Sequence, residues 1–158
     1  MEHSKLQSSV PNDYLALRGS LRVVHTRPQV GVLSDETMAQ TIATVGKNWL
    51  QDVLQEVDAA ADALKFHKSG IGVAVAAAGN TDLSTGIYSR VTGTQAEGAS
   101  ANIYQSVATI AYTGTRSITE WGIFTTSTGG SLFSRKTFAA KSVVNGDSIA
   151  FTWNLTLG

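Results

Sequence analysis

Glu120 is the residue in this sequence best placed to do acid–base chemistry. It lies beside Trp121 in an otherwise apolar, strand-like run, residues 118–124. A buried carboxyl group with a raised pKa can act as a general acid, but that chemistry needs a second carboxylate close by. Asp82 and Asp147 fall in predicted turns and provide no obvious pair. The pattern therefore gives little support to acid–base catalysis.

A structural role for Glu120 is the better hypothesis. A carboxylate buried in a β-domain needs a partner, because an unpaired interior charge is costly. Arg116, Arg135 and Lys136 lie on the neighbouring predicted strands and are candidates for a cross-strand ion pair. We take Glu120 and Arg135 as the predicted structural pair.

No other combination of residues indicates a catalytic or cofactor site. His3, His25 and His67 are far apart in the sequence, and none has a potential ligand two or four positions away. The sequence contains no G-x-S-x-G nucleophile motif. Gly70 and Gly72 lack the third glycine and the preceding strand of a dinucleotide-binding loop. We predict no metal, no cofactor and no enzymatic activity.

Composition narrows the function classes further. The 158 residues carry a formal net charge of zero, only 15% are charged, and there are no cysteines. Nucleic-acid-binding proteins usually show a basic patch, which this chain lacks, so we expect no nucleic-acid partner. The longest apolar run is far shorter than the ~20 residues of a membrane span, so we expect no membrane association.

Alternating residues over the second half of the chain predict an antiparallel β-domain, residues 69–158. The clearest strand is 148–157, in which apolar residues occupy every second position after an Asn-Gly turn. We expect Ile149, Phe151, Trp153, Leu155 and Leu157 to face the core beside Trp121 and Phe133. Strands and turns at this spacing are typical of a sandwich or barrel, with Greek-key or jelly-roll-like topology.

Two segments precede this domain. Residues 1–33 are predicted to form an extended arm, with the moderately alternating Leu15, Leu17, Leu21 and Val23 as contact residues. They are equally compatible with a first strand of the β-domain or with an arm that adds to a neighbour's sheet edge. Residues 34–68 are predicted to be helical, because apolar residues recur at spacings of three, four or seven.

Some polar and aromatic positions are candidates for an interface. Tyrosine has an apolar ring and a polar tip, which suits contacts with a partner. The face of the last strand opposite the predicted core is small and uncharged, and no catalytic feature occupies it. The candidates are Tyr88, Tyr104, Tyr112, Thr152 and Asn154.

Several short motifs between residues 47 and 158 resemble a family of tailed-bacteriophage virion proteins. They are turn and core patterns, such as Glu-x-Gly-Ile-Phe at 120–124 and Asn-Gly-Asp-Ser-Ile at 145–149. Others are Lys65-Phe66-His67-x-Ser69-Gly70, Thr81-Asp82-Leu83, Arg90-Val91-Thr92-Gly93-Thr94-Gln95, Val107-Ala108-Thr109-Ile110-Ala111-Tyr112 and Phe133-Ser134-Arg135.

The resemblance implies a capsid decoration (cement) protein. Such a protein would form a homo-oligomer, with a trimer favoured, and would bind the major capsid protein on the virion surface after synthesis in the host cytoplasm. An alternative is a tail, collar or fibre attachment module that recognises a host glycan. A cell-wall hydrolase is a third hypothesis, which only scattered carboxylates support.

Overall fold

A computed structural model describes residues 16–54 and 64–158, in which nine β-strands and one α-helix form. The strands are β1 (Leu17–Arg27), β2 (Gly31–Ile42), β3 (Phe66–Gly70), β4 (Gly86–Thr92), β5 (Thr94–Glu97), β6 (Ile103–Ala111), β7 (Arg116–Phe124), β8 (Leu132–Val143) and β9 (Ser148–Leu157). The helix α1 (Thr44–Leu54) lies between β2 and β3 in the chain.

The strands form one antiparallel sheet that curls into a nearly closed barrel, which confirms the predicted fold class. The strand order is β4-β3-β7-β8-β2-β1-β9-β6-β5. β4 and β5 are the two ends of this order, yet only Gly93 separates them in sequence. A Cβ on Gly93 would lie 2.7 Å from the Val107 carbonyl oxygen, so a glycine lets the strand bend there and join both sides of the barrel.

The last strand follows its predicted alternation from Ile149 to Leu155, but the prediction that Leu157 faces the core is wrong. Ile149, Phe151 and Trp153 are fully buried and Leu155 is 5% exposed, whereas Leu157 at the strand end is 41% exposed. β9 pairs with β1 on one side and β6 on the other. The ring of Phe151 stacks on Trp121, and Trp153 packs edge-on against Phe133, as expected for a shared core.

Of the two alternatives for the segment before the helix, the first strand of the β-domain is confirmed, and the described part of residues 1–33 is not a separate arm. β1 lies between β2 and β9 and pairs with both along its length. Leu21 and Val23 are fully buried because their alternation places them on the inner face of the barrel. Leu17 packs against the same core, and Leu15 lies outside the described residues.

The prediction of a helix over residues 34–68 is wrong at both ends. Residues 34–42 belong to β2, and β3 begins at Phe66. Met38 and Ile42 are four positions apart, a spacing that one face of a helix and one face of a strand both satisfy. Pairing with β1 selects the strand, and only α1 is helical in the described part of this segment.

The pairing of β7 with β8 is irregular after Ile118, where β8 contains the extra residues. The register with β8 shifts between Ile118 and Glu120, so Ile118 joins the inner core although an unbroken alternation would place it beside Glu120. On the outer face, the loop 71–85 covers β7 and contributes Leu83 to a small second core. The other members of this outer core are Phe66, Phe124 and Leu132.

Candidate functional site

The predicted pair of Glu120 and Arg135 forms, and it fixes the loop 71–85. Arg135 donates to Glu120 Oε2 from Nε at 2.9 Å and from Nη2 at 2.7 Å. The two side chains are 2% and 0% exposed. Neither Arg116 nor Lys136 is the partner, since β8 places Arg135 beside Glu120 on the outer face of the barrel.

Glu120 also accepts backbone hydrogen bonds from the loop. Oε1 accepts from Gly72 N at 3.0 Å and from Thr85 N at 2.6 Å, and Oε2 accepts from Ser84 N at 2.9 Å. Burial alone raises the pKa of this carboxyl, but the hydrogen bonds from Thr85, Arg135 and Ser84 outweigh it and hold the pKa below its usual value. The carboxylate therefore stays ionised as the anchor of the loop.

Arg135 holds the middle of the same loop. Its Nη2 donates to the Ala74 carbonyl at 2.8 Å, and its Nη1 donates to Asn80 Oδ1 at 2.9 Å. The loop thus has a fixed backbone although it contains no strand or helix. It presents Val73 and Val75 to solvent, 80% and 82% exposed.

A second exposed apolar group lies at the β1–β2 hairpin. Val30, Val32 and Leu33 are 65%, 61% and 41% exposed. The base of the hairpin is fixed by Arg27, which donates to the fully buried Asp147 from Nη2 at 2.9 Å. Large apolar side chains that cluster on a well-ordered surface are typical of binding sites.

Asp147 is the centre of a buried polar cluster that sequence reasoning missed. His25 Nε2 lies 3.0 Å from Asp147 Oδ2, and the Val144 N–H donates to the same oxygen. Hydrogen bonds from Arg27 are the main reason that the pKa of Asp147 lies far below its usual value. His25 and Arg27 lie 120 or more residues from Asp147 in sequence, and only their alternation hints that they share a strand face.

His67 is a second buried group whose environment the sequence did not reveal. Trp121 Nε1 donates to His67 Nδ1 at 3.1 Å, and His67 Nε2 lies 2.8 Å from Ser106 Oγ. Since Nδ1 accepts, the proton of the neutral ring is on Nε2, which donates to the serine. Because Nε2 already carries a proton, it cannot accept the proton of Ser106 and act as a general base. Burial lowers the pKa of His67 to about 3.

The structure divides the predicted interface residues into two groups. Leu21, Val23 and Tyr112 are buried in the monomer, so the prediction that they contact a partner is corrected. Tyr112 instead donates to Ser69 Oγ inside the barrel. Burial of these three residues leaves no side-chain surface for another protein.

The remaining candidates keep some accessible surface. Thr152 and Asn154 are half-buried, and Asn154 accepts a hydrogen bond from Gln105 on β6. Tyr104 is half-buried and donates to the Leu64 carbonyl. Tyr88 is 43% exposed.

Tyr88 lies in a shallow polar depression of about 350 Å³. Its backbone φ is 59°, in the left-handed region that a bulky residue rarely adopts, and such strain tends to occur at functional positions. Arg90 forms one wall and stacks on Phe124 at 3.6 Å from the ring centre. The depression is lined by Lys68, Tyr88, Ser89, Arg90, Ser127, Thr128 and Gly129.

The described residues form neither a metal site nor a membrane-spanning helix. No group of three or more His, Asp or Glu side chains within residues 16–54 and 64–158 could hold a metal ion. No helix in the same ranges has the length and apolarity to cross a membrane.

Comparison with known proteins identifies no relative. No family model matches the chain, and neither a curated protein nor a solved structure matches it significantly.

Proposed function

We propose that this chain is a non-enzymatic virion structural protein that binds the outside of a phage capsid and stabilises it as a decoration protein. The observation that carries the proposal is the pair of solvent-exposed valines, Val73 and Val75, on a loop fixed by a buried ion pair. The partner is the major capsid protein, and the site of action is the capsid surface. The resemblance of residues 47–158 to phage virion proteins points to the same role.

A fixed loop suits this function because it is already ordered before it binds. Little conformational entropy is then lost on association, so a small apolar contact contributes more to affinity. The exposed apolar hairpin with Val30, Val32 and Leu33 offers a second contact of the same kind. In a homotrimer, each contact is repeated, and simultaneous engagement raises the overall affinity.

Co-sedimentation with undecorated capsids tests the proposal. The full-length protein should sediment with the shells, and Val73→Asp and Val75→Asp should each weaken binding by about tenfold or more, because a charge must be desolvated at the contact. Thr94→Asp on β5 is the matched control, since it places the same charge at an exposed position outside both apolar groups. Failure of the unaltered protein to bind shells would rule out the proposal.

The Tyr88 depression favours the alternative, a tail, collar or fibre module that recognises a host glycan. An exposed aromatic ring beside Lys68 and Arg90 is a suitable surface for a sugar. A glycan-array signal that Tyr88→Ala abolishes would support it.

Copy number separates the two roles, because hundreds of copies per particle indicate the capsid and a handful indicate the tail. Hydrolysis of cell-wall material that Glu120→Gln abolishes, while the variant keeps its native circular dichroism, would contradict both.

A further inference from the structure

The shortest pairing between neighbouring strands of the sheet is the one between β2 and β8. These strands pair only at Thr41 and Ile42, opposite Arg135 and Ser134. From Gly31 to Gln40, β2 pairs with β1 on one side, and no strand within residues 16–54 and 64–158 pairs with its other side. This unpaired side is called the β2 edge below.

The hydrogen bonds at the end of β2 show which backbone groups point outward. Ala43 N donates to the Phe133 carbonyl, and the Thr41 carbonyl accepts from Ser134 Oγ. Successive residues of a strand direct their backbone groups to opposite sides. The N–H and C=O groups of Asp35, Thr37 and Ala39 therefore point outward from β1, along the β2 edge.

The β2 edge has few of the features that normally keep strand edges from pairing. It contains no proline, and its bulge lies at the far end, beyond Ser34. Both of its charged side chains are already paired: Asp35 accepts two hydrogen bonds from Arg22, and Glu36 forms an ion pair with Lys141. An added strand would meet no unpaired charge on β2.

We propose that the β2 edge accepts residues 3–10 of a second copy of this chain as an added antiparallel strand. Residues 3–10 are His-Ser-Lys-Leu-Gln-Ser-Ser-Val, which contain no proline and no acidic residue. Eight residues span about 27 Å as a strand, which matches the unpaired stretch from Leu33 to Gln40.

The position of Ala16 favours a second copy over the same copy. Ala16 N donates to the Gly158 carbonyl, and Gly19 on β1 lies opposite Gln40, so the chain enters the barrel at the end where β2 finishes. A segment that turned back from there onto its own β2 would run parallel to it. Every strand pair in the barrel is antiparallel, and a segment from another copy is free to pair in that direction.

Donation of a strand by each copy to the next is a head-to-tail arrangement. Such an arrangement closes into a ring when the rotation between copies permits. The inference explains how the proposed oligomer would form and does not depend on capsid binding, so it can hold even if the chain acts elsewhere in a particle.

Cross-linking between two single-cysteine variants tests the proposal, since the chain has no cysteine of its own. Full-length Ser8→Cys and Thr37→Cys proteins are purified separately, mixed and treated with a short bismaleimide. We expect a cross-linked species that contains one chain of each type. Thr94→Cys, at an exposed position of β5 far from the β2 edge in the strand order, replaces Thr37→Cys in the control and should give no such species.

A proline variant tests the backbone contact itself. Ala39→Pro in the Thr37→Cys protein removes an outward N–H and spares the pairing with β1, so cross-linking and self-association should fall by about tenfold, the effect of losing one or two hydrogen bonds. Ala39→Ser keeps the N–H and should behave like the parent. Three results would each overturn the proposal. The first is a yield of the mixed cross-linked species no higher than in the control, and the second is a protein with both cysteines that cross-links only within one chain. The third is an Ala39→Pro variant that cross-links like the parent while its circular dichroism stays native.

Discussion

Arg135 donates two hydrogen bonds to one oxygen of Glu120, Oε2, while the other carboxylate oxygen accepts from the backbone of Gly72 and Thr85. The ion pair thus links strands β7 and β8 to the loop 71–85, and it is buried rather than a surface contact. Its geometry is that of a structural anchor, and the exposed valines of the loop depend on it for their position.

Glu120→Gln should therefore loosen the loop and destabilise the barrel. Removal of the charge leaves Arg135 buried without a counter-ion, which costs about 3–5 kcal/mol in the free energy of unfolding. Chemical denaturation measures that loss, and hydrogen exchange should show reduced protection of the Gly72, Ser84 and Thr85 amides. Asp35→Asn is the control, because the Arg22–Asp35 pair is about half exposed and solvent screening leaves it little effect on stability.

An equal change in both variants would mean that Glu120 contributes no more than a surface charge. Unchanged amide protection in Glu120→Gln would mean that the loop is held by its outer core, through Leu83, rather than by the ion pair.

Asp147 should make stability fall in acid. Hydrogen bonds from Arg27 and His25 hold its folded-state pKa far below the ~3.9 of an unfolded chain. The unfolded state therefore binds the proton first, so the stabilisation is complete above about pH 5 and is lost as the pH falls below about 4. Asp147→Asn should be less stable than the parent at pH 7, and unfolding curves from pH 7 to pH 2 should show the difference shrinking in acid. A constant difference across that range would contradict this role.

His67 should contribute a separate pH dependence at higher pH. Its folded-state pKa is about 3, against about 6.5 in an unfolded chain, so it is neutral when folded. The unfolded state takes up the proton as the pH falls below 6.5, and stability should decrease by about 1.4 kcal/mol per pH unit down to about pH 3.

His67→Gln should remove this slope between pH 6.5 and 4, with the Asp147 contribution below pH 4 unchanged. Nitrogen NMR should find the proton on Nε2 and no titration of the ring above pH 5. A ring that titrates near pH 6.5 in the folded protein would show that the hydrogen bonds from Trp121 and to Ser106 do not keep it neutral.

Much of the fold is predictable from local sequence patterns. β9 alternates without interruption and follows an Asn-Gly turn, so the sequence correctly predicts which of its two faces is buried. The Glu120–Arg135 pair is predictable because the two residues occupy consecutive antiparallel strands only 15 positions apart.

The errors have specific physical causes. Residues 34–42 satisfy the spacing of a helix and of a strand, and the choice depends on pairing with β1, which no local pattern encodes. The environments of His67 and Asp147 depend on partners that the barrel brings together from distant positions. The irregular pairing after Ile118 moves that residue to the inner face against the simple alternation.

Gly46 separates the effect of helix propensity from that of packing. In a solvent-exposed helix, Gly→Ala is stabilising by about 1 kcal/mol. In α1, a Cβ on Gly46 would lie 2.6 Å from Phe133 Cα and 2.7 Å from its carbonyl oxygen, so the helix backbone rests directly on β8. Gly46→Ala should therefore destabilise the protein, by about 1–3 kcal/mol as is usual for overpacked sites.

Gly79→Ala is the matched control, because it adds the same methyl group in open space at an ordinary backbone conformation. We expect it to be neutral or stabilising by up to about 1 kcal/mol, since alanine restricts the unfolded chain more than glycine does. Thermal and denaturant unfolding of both variants gives the comparison. If Gly46→Ala is as stable as the parent, α1 can move away from Phe133 at little cost, and the edge-on contact between Trp49 and Phe133 should then be weakened in the near-ultraviolet circular dichroism spectrum.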